Sequence, residues 1–146
     1  MPRTPLLLPF LIAVLSIAEL AAGPGPDLSG AYRCSGINPD GSSYENVVVE
    51  LVRHNDAYQL LWSVDSEPIA IGMGVRTGDV LAVSYLADVP GVAAYRIEPD
   101  GRLVGEWTLA GLEGRLFQET LVRTSTPATL RPRQVKPSPG RHIREL

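Results

Sequence analysis

The chain has 146 residues, of which 45% are hydrophobic and 20% are charged. This length is typical of one domain, and this composition excludes a chain that is disordered throughout. The formal net charge of −3 is unevenly divided, because residues 27–123 carry 14 Asp or Glu against 7 Arg, whereas residues 124–146 carry five basic residues against one Glu. An acidic domain is not typical of nucleic-acid binders, so we expect no nucleic-acid partner.

The N-terminus has the pattern of a secretory signal peptide. Arg3 provides a positive start, residues 6–18 form an almost unbroken apolar run, and small residues follow at 21–23. Export machinery reads this order, and the run is shorter than the about 20 residues of a membrane span. We predict a signal peptide over residues 1–22 and a secreted or periplasmic protein with no membrane span after cleavage. The alternative is an uncleaved N-terminal anchor.

A Pro/Gly spacer at 23–27 is followed by short apolar runs that alternate with turn signals. Turn signals every 8–12 residues are typical of sandwiches and barrels, and short connections favour antiparallel neighbours. The candidate strands are 28–35, 44–53, 57–64, 68–75, 79–87, 91–98, 102–110 and 114–123. We predict an all-β domain over 28–123: a single antiparallel up-and-down meander of about eight strands, closed into a barrel because closure removes exposed edges. An open or two-layer sheet is the alternative.

Two of the turn signals share one chemistry. Asn38-Pro39-Asp40-Gly41 and Glu98-Pro99-Asp100-Gly101 both place Pro before Asp and Gly. Pro fixes a φ near −65° and Gly accepts a positive φ, which together predict tight turns at both places. Residues 124–146, in contrast, contain four Pro and no aromatic residue. Such a segment buries too little apolar surface to order itself, so we predict a disordered basic Pro/Arg tail.

Residues two apart on a strand share a face, which predicts the side chains that point into the barrel. Six aromatic side chains are predicted to face inward, as candidate ligand-binding residues: Tyr32, Tyr58, Trp62, Tyr85, Tyr95 and Trp107. They either fill a packed core or line a lumen that takes a small ligand. The fourth strand carries its large apolar residues on one face, which we assign to the interior, and its small residues on the other: Ile69, Ile71 and Met73 against Ala70, Gly72 and Gly74. The last strand has no cleanly apolar face.

The residue types that carry chemistry are few. Cys34 is the only cysteine, which excludes an internal disulfide; we expect it to be buried, with an intermolecular disulfide or a reactive thiol as alternatives. The two histidines, His54 and His142, lie in a predicted turn and in the tail. Glu106 and Glu119 are a weak candidate for a carboxylate pair, because Glu106 has outward parity. We therefore predict no enzyme, no cofactor and no metal site.

The stretch Asp27-Leu28-Ser29-Gly30-Ala31-Tyr32 resembles the first-strand Gly-x-Trp signature of lipocalin and avidin-like (calycin-type) barrels, with Tyr32 in the place of the Trp. In those barrels a basic residue of the last strand stacks on the aromatic ring, a role that the resemblance assigns to Arg123. No binding residue is carried over from it. The stretch 32–41 is also similar to short exported bacterial β-proteins, some labelled fibronectin-binding, which points to adhesion.

Two functions are compatible with this sequence. The first is an exported non-enzymatic β-barrel that binds a small apolar or aromatic ligand in its interior. The alternative is an adhesion or protein-interaction module with a fully packed core. Such a module would meet an extracellular or surface protein through outward Val48, Val52 and Leu61. The sequence leaves the oligomeric state open.

Overall fold

The structure, a computed structural model, describes residues 25–124. The predicted signal peptide and all but the first residue of the predicted tail lie outside this range. Eight strands follow one another in the described part: β1 Gly30–Ile37, β2 Ser43–His54, β3 Ala57–Val64, β4 Glu67–Thr77, β5 Val80–Leu86, β6 Pro90–Ile97, β7 Leu103–Leu109 and β8 Phe117–Arg123. No helix of sufficient length and hydropathy to span a bilayer occurs within 25–124.

The strands form a closed antiparallel meander. Each strand pairs with the next along the chain, and β8 returns to pair with β1 from Tyr32↔Arg123 to Gly36↔Glu119. This confirms the predicted all-β barrel, and the eight-stranded architecture is compatible with the calycin-type barrel that the resemblance implies. Closure gives both edge strands a partner, which removes the unpaired edge that an open sheet would expose.

The two Pro-Asp-Gly turns are tight turns, as predicted. Gly41 and Gly101 adopt φ values of 86° and 84°, which favour glycine. The N–H of each glycine donates to the carbonyl three residues earlier, at 2.9 Å in both turns. The carboxylates of Asp40 and Asp100 accept backbone N–H bonds two residues on, as Asx turns do.

At one end of the barrel the buried core extends to the N-terminal segment of the described chain. This closed end is formed by the N-terminal segment 25–29 and by the loops at 55–56, 78–79 and 98–102. The side chain of Leu28 is only 2% exposed and extends the core beyond the first residue of β1. The largest fully buried residues in and above this end are Tyr32, Leu51, Leu60, Leu81, Leu103 and Leu121.

Arg123 fastens the closed end. Its guanidinium lies 5.0 Å from the centroid of the Tyr32 ring, so the stacking that the resemblance implied is present. The same group donates to the Ser29 carbonyl at 2.6 Å and to the Tyr32 hydroxyl at 2.8 Å. Tyr32 in turn donates to the Leu28 carbonyl at 2.8 Å. The first segment, the first strand and the last strand are therefore tied together by one side chain.

The predicted face of β4 is wrong for Ile71 and Met73. These two residues point outward and are 47% and 55% exposed, while Gly72 and Gly74 face the interior. Ile69 is 49% exposed but lines a cavity at the other end of the barrel, where a register shift beside Trp62 interrupts the alternation. A Cβ built on Gly72 would lie 2.9 Å from Cβ of Tyr85 and 3.0 Å from the Trp62 ring. The aromatic rings of β3 and β5 already fill this part of the interior, so β4 has room only for glycine there. A pattern of large apolar residues cannot reveal this, because the space is set by neighbouring strands.

Candidate functional site

The other end of the barrel contains a cavity of about 330 Å³. We call it the cavity end; its loops are 38–42, 65–66, 87–89 and 110–116. Five aromatic side chains and one carboxylate dominate the lining: Tyr44, Trp62, Tyr85, Tyr95, Trp107 and Glu119. A volume near 300 Å³ is at the lower end of the range for small-molecule pockets.

The structure divides the six predicted aromatic residues into two groups. Four of them line the cavity and so share one site: Trp62, Tyr85, Tyr95 and Trp107. Tyr32 and Tyr58 lie instead at the closed end, where their hydroxyls contact Leu28 and Asp27. The reason is height along the barrel, since residue parity tells which face a side chain occupies but not which end it reaches.

Sequence reasoning missed the polar centre of this cavity. Glu119 is 7% exposed and is the one buried charged residue among residues 25–124. The hydroxyl of Tyr44 donates to its Oε2 at 2.6 Å, and the hydroxyl of Tyr95 donates to its Oε1 in a short hydrogen bond. Both oxygens of the carboxylate therefore accept a phenol hydroxyl, which fits the ionised form of the group.

These three residues belong to one row across five neighbouring strands. Tyr95 pairs with Gly105, Gly105 with Glu119, Glu119 with Gly36, and Gly36 with Tyr44. Each tyrosine thus reaches Glu119 across a glycine, and a Cβ on Gly36 would collide with the Tyr44 hydroxyl. The absence of two side chains is what allows both hydrogen bonds. We call this arrangement the Tyr-Gly-Glu-Gly-Tyr row.

The alternation pattern did not identify Tyr44, because a β-bulge reverses the face of the strand on which this residue lies. Between Cys34↔Val47 and Gly36↔Tyr44 the register advances two residues on β1 but three on β2. The extra residue turns Tyr44 to the interior face, whereas simple alternation groups it with the outward Val48. Nothing in the sequence marks this bulge.

The sequence around Glu119 contains a signal for its burial. It alternates with Phe117 and Leu121, which are both buried, so its parity places it inside. Because one residue of this face is charged, the alternation along the last strand does not by itself decide which face points inward. A lone acid flanked at i−2 and i+2 by large apolar residues is therefore a useful sequence signal for a buried carboxylate.

The surroundings keep the phenols protonated. Burial, followed by the nearby Glu119 carboxylate, raises the pKa of Tyr44, Tyr85 and Tyr95 well above the usual range for tyrosine. They remain hydrogen-bond donors at any physiological pH. Glu119 has no cationic partner in the described part of the chain, where the two ion pairs are Arg96–Glu98 and Arg102–Asp100, both at the closed end.

Cys34 is buried, as expected from the sequence. It is 0% exposed, and burial together with the neighbouring Glu119 raises the pKa of its thiol far above the usual range. Only the thiolate is nucleophilic, so the folded protein should protect this residue. We expect 5,5′-dithiobis(2-nitrobenzoate) to label Cys34 at least about 100-fold more slowly in buffer than in denaturant. Rapid labelling of the native protein would contradict this assignment and restore the reactive-thiol interpretation.

The weaker chemical candidates do not come together. Glu106 is exposed on the outer face of β7, whereas Glu119 points inward from β8, so the barrel wall separates the two carboxylates. His54 is exposed at the end of β2. Among residues 25–124, no three His, Cys, Asp or Glu side chains are grouped as a metal site would require.

The outer wall carries apolar side chains of its own. Of the three outward residues predicted to form a patch, Val48 is 41% exposed, and Val52 and Leu61 are half-buried. A more exposed group lies across β4 to β6 and the loop before β8, and we call it the outer apolar strip: Met73, Val75, Val92 and Leu116, each 55–60% exposed.

No family model matches the chain, and no curated protein is significantly similar to it. Function therefore has to be inferred from the geometry and the chemistry of the barrel itself.

Proposed function

We propose that this protein is an exported, non-enzymatic binding protein that takes a small apolar or aromatic ligand into the cavity end of its barrel. The observation that carries the proposal is the cavity of about 330 Å³, with aromatic side chains on its walls and one carboxylate inside. A volume of that size corresponds to about ten water molecules at about 30 Å³ each, which suits a compact organic molecule.

The walls of the cavity are chemically suited to such a ligand. The rings of Trp62 and Tyr85 lie 5.3 Å apart with an angle of 38° between their planes, so they pack against each other in a tilted pair that forms part of the cavity wall. Aromatic groups contribute large contact areas with few rotatable bonds, so ordering them around a ligand costs little conformational entropy. On the β4 side the wall is formed by Ile69 and by the small residue Ala70, which pairs with Trp62.

Trp107 supports a ligand with a polar atom. Its indole lines the cavity, and its buried Nε1 lies near the Tyr44 hydroxyl but completes no hydrogen bond of good geometry with a described residue. An unsatisfied buried donor costs about 1–3 kcal/mol, which a ligand that brings an acceptor would recover. Trp62 and Trp107 are also the only tryptophans of the chain, so intrinsic fluorescence reports directly on this cavity.

The proposal is tested by titrating the protein with three phenyl compounds of similar size: 2-phenylethanol, 2-phenylethylamine and 3-phenylpropionate. We expect at least one to change tryptophan fluorescence saturably, with a Kd below about 1 mM. Ala70→Leu should weaken that binding at least about tenfold, because the added side chain occupies the cavity beside Trp62.

Ala82→Leu is the matched control, since Ala82 is exposed on the outer face of β5. It should leave the affinity unchanged. The proposal fails if no compound binds, or if Ala70→Leu and Ala82→Leu have equal effects while both variants keep the wild-type circular dichroism spectrum.

The second candidate function is the interaction module, and the outer apolar strip favours it. Single exposed apolar residues are ordinary, but neighbouring ones on one face are typical of a surface that meets another molecule. Met73 and Val92 lie on either side of the small residue Ser84, and all four residues of the strip line one open groove. This candidate would replace the first if the cavity bound none of the three compounds.

A further inference from the structure

We propose that the ligand of the cavity is an organic cation: a primary or substituted ammonium on a compact apolar or aromatic body. This inference rests on the proposed function and adds the charge of the ligand. Three independent features of the structure point to it, namely an unpaired carboxylate, the faces of the aromatic rings, and the distribution of charge between the two ends of the barrel.

The first feature is the uncompensated charge of Glu119. An ionised carboxylate has about four lone-pair positions; Tyr44 and Tyr95 occupy two, and the neutral Cys34 thiol also lies beside the group. Both donors are neutral phenols, and no Arg, Lys or His of the described chain lies within ion-pair distance of Glu119. A buried charge without a counter-charge is costly, so a cation entering the cavity would gain a charge-assisted hydrogen bond where the protein supplies none.

The second feature is the lining around that carboxylate. Tyr44, Trp62, Tyr85, Tyr95 and Trp107 surround the same space. The face of an aromatic ring carries partial negative charge and attracts cations, with a contribution of about 2 kcal/mol when the site is desolvated. Aromatic rings that only fill a core need no charged group beside them. Rings grouped around a carboxylate combine the two elements that recognise an ammonium, namely a negative charge and aromatic surfaces that attract cations.

The third feature is the charge of the surrounding loops. The cavity end carries six acidic residues and one arginine: Asp40, Glu45, Asp65, Glu67, Asp88 and Glu113, with Arg115. The closed end is balanced, with five acidic residues and five arginines: Asp27, Asp56, Asp79, Glu98 and Asp100, with Arg53, Arg76, Arg96, Arg102 and Arg123. These acidic residues surround the opening, while Glu119 is the one charged residue in the lining itself. An excess of one sign of charge around an opening concentrates ligands of the opposite sign, so this acidic rim would raise the local concentration of a cation.

The same features disfavour an anionic ligand and a neutral ligand. An anion would face both the rim and Glu119, and like charges in a low-dielectric site repel strongly. A neutral hydroxyl could accept a hydrogen bond from Trp107 Nε1, but its bond to Glu119 would lack the charge assistance that makes an ammonium–carboxylate bond roughly twice as strong. The order of affinities expected at pH 7 is therefore cation, then neutral compound, then anion.

The experiment compares the three phenyl compounds by isothermal titration calorimetry on the wild-type protein and two variants. We expect 2-phenylethylamine, which is cationic at pH 7, to bind at least about tenfold more tightly than 2-phenylethanol. Glu119→Gln should abolish that preference, so that the affinities of the amine and the alcohol come within about twofold of each other. Glutamine keeps an acceptor for one tyrosine and a donor for the other, so the variant preserves hydrogen bonding while it removes the charge.

Glu106→Gln is the matched control, because it changes the net charge by the same amount from the outer face of β7. It should retain the preference for the amine. A second measurement needs no variant: raising the ionic strength from about 0.01 M to about 1 M shortens the Debye length from about 30 to about 3 Å. It should weaken binding of the amine more than binding of the alcohol, since only the amine is attracted by the rim.

The outcomes separate this inference from the proposed function. If none of the compounds binds, the proposed function fails. If amine and alcohol bind equally, or if the acid binds most tightly, the cavity is a binding site but the cation inference is overturned. It is also overturned if Glu106→Gln removes the preference as completely as Glu119→Gln, because the effect would then reflect net charge alone.

Discussion

Replacing Gly105 with alanine is expected to destabilise the barrel by about 3 kcal/mol. A Cβ at this position would collide with the carbonyl of Ala94 and lie 2.8 Å from Cα of Tyr95. Both are backbone atoms of β6, which cannot rotate away as a side chain would, so the two strands must separate locally. At roughly 4–8 °C per kcal/mol for a domain of this size, thermal unfolding should begin more than about 10 °C lower.

The same substitution should damage the site. Gly105 is the residue across which Tyr95 reaches Glu119, so displacing β6 lengthens that hydrogen bond. We expect ligand affinity to fall together with stability, as measured by titration below the lowered unfolding temperature.

Gly78→Ala is the comparison variant for this prediction. A Cβ on Gly78 would meet nothing within 4 Å, and its cost is only that of alanine at a φ of 61°. That cost is about 1–2 kcal/mol, at a turn of the closed end. If Gly105→Ala were no more destabilising than Gly78→Ala, the close approach of β6 to β7 would not be a constraint on the fold.

Removing the side chain of Arg123 is expected to cost about 2 kcal/mol of stability. Arg123→Ala deletes the donor to the Ser29 carbonyl and to the Tyr32 hydroxyl, and uncovers the ring of Tyr32. Hydrogen bonds from charged donors contribute about 1.5–3 kcal/mol, and the exposure of Arg123 places its contribution in the lower half of that range. Chemical denaturation should show a lower midpoint with an unchanged slope.

Two controls accompany this variant. Arg123→Lys keeps the charge but loses the planar group that spans two acceptors and the ring, so it should recover less than half of the loss. Arg115→Ala removes an arginine that also covers an aromatic ring, that of Phe117 at 5.2 Å, but that makes a single hydrogen bond of 3.5 Å. It should cost under about 0.5 kcal/mol. Equal losses for Arg115→Ala and Arg123→Ala would show that Arg123 does not fasten the closed end.

The two ends of the barrel therefore have different physical roles. Leu28, Tyr32 and Arg123 seal the closed end with apolar packing and satisfied hydrogen bonds. The cavity end instead holds Glu119 without a counter-charge and Trp107 Nε1 without an acceptor. Proteins maintain buried groups of this kind at a cost in stability, and such groups are concentrated where ligands bind. Apart from Gly105, which affects both, stability and the proposed binding thus depend on largely separate sets of residues, so Arg123 variants and Glu119 variants test them separately.

Local chemistry in the sequence was sufficient for the architecture. The Pro-Asp-Gly turns, the period-2 alternation and the short connections are properties of neighbouring residues, and each one favours an antiparallel meander. They also located the inward aromatic residues, and the resemblance led to the contact between Arg123 and Tyr32. Burial of Cys34 followed from the same alternation, since it shares a face with Tyr32.

The cavity and its polar centre depended on the tertiary structure. Whether Gly72 or Ile71 faces inward depends on space already taken by Trp62 and Tyr85 from other strands. Tyr44 reaches Glu119 only because a bulge shifts the pairing of β1 and β2, and Tyr95 reaches it only across Gly105. Alternation along one strand fixes which face a side chain occupies, but register and bulges are set by the pairing between strands. Glu119 and Tyr44 come together only because closure pairs β8 with β1 from opposite ends of the domain.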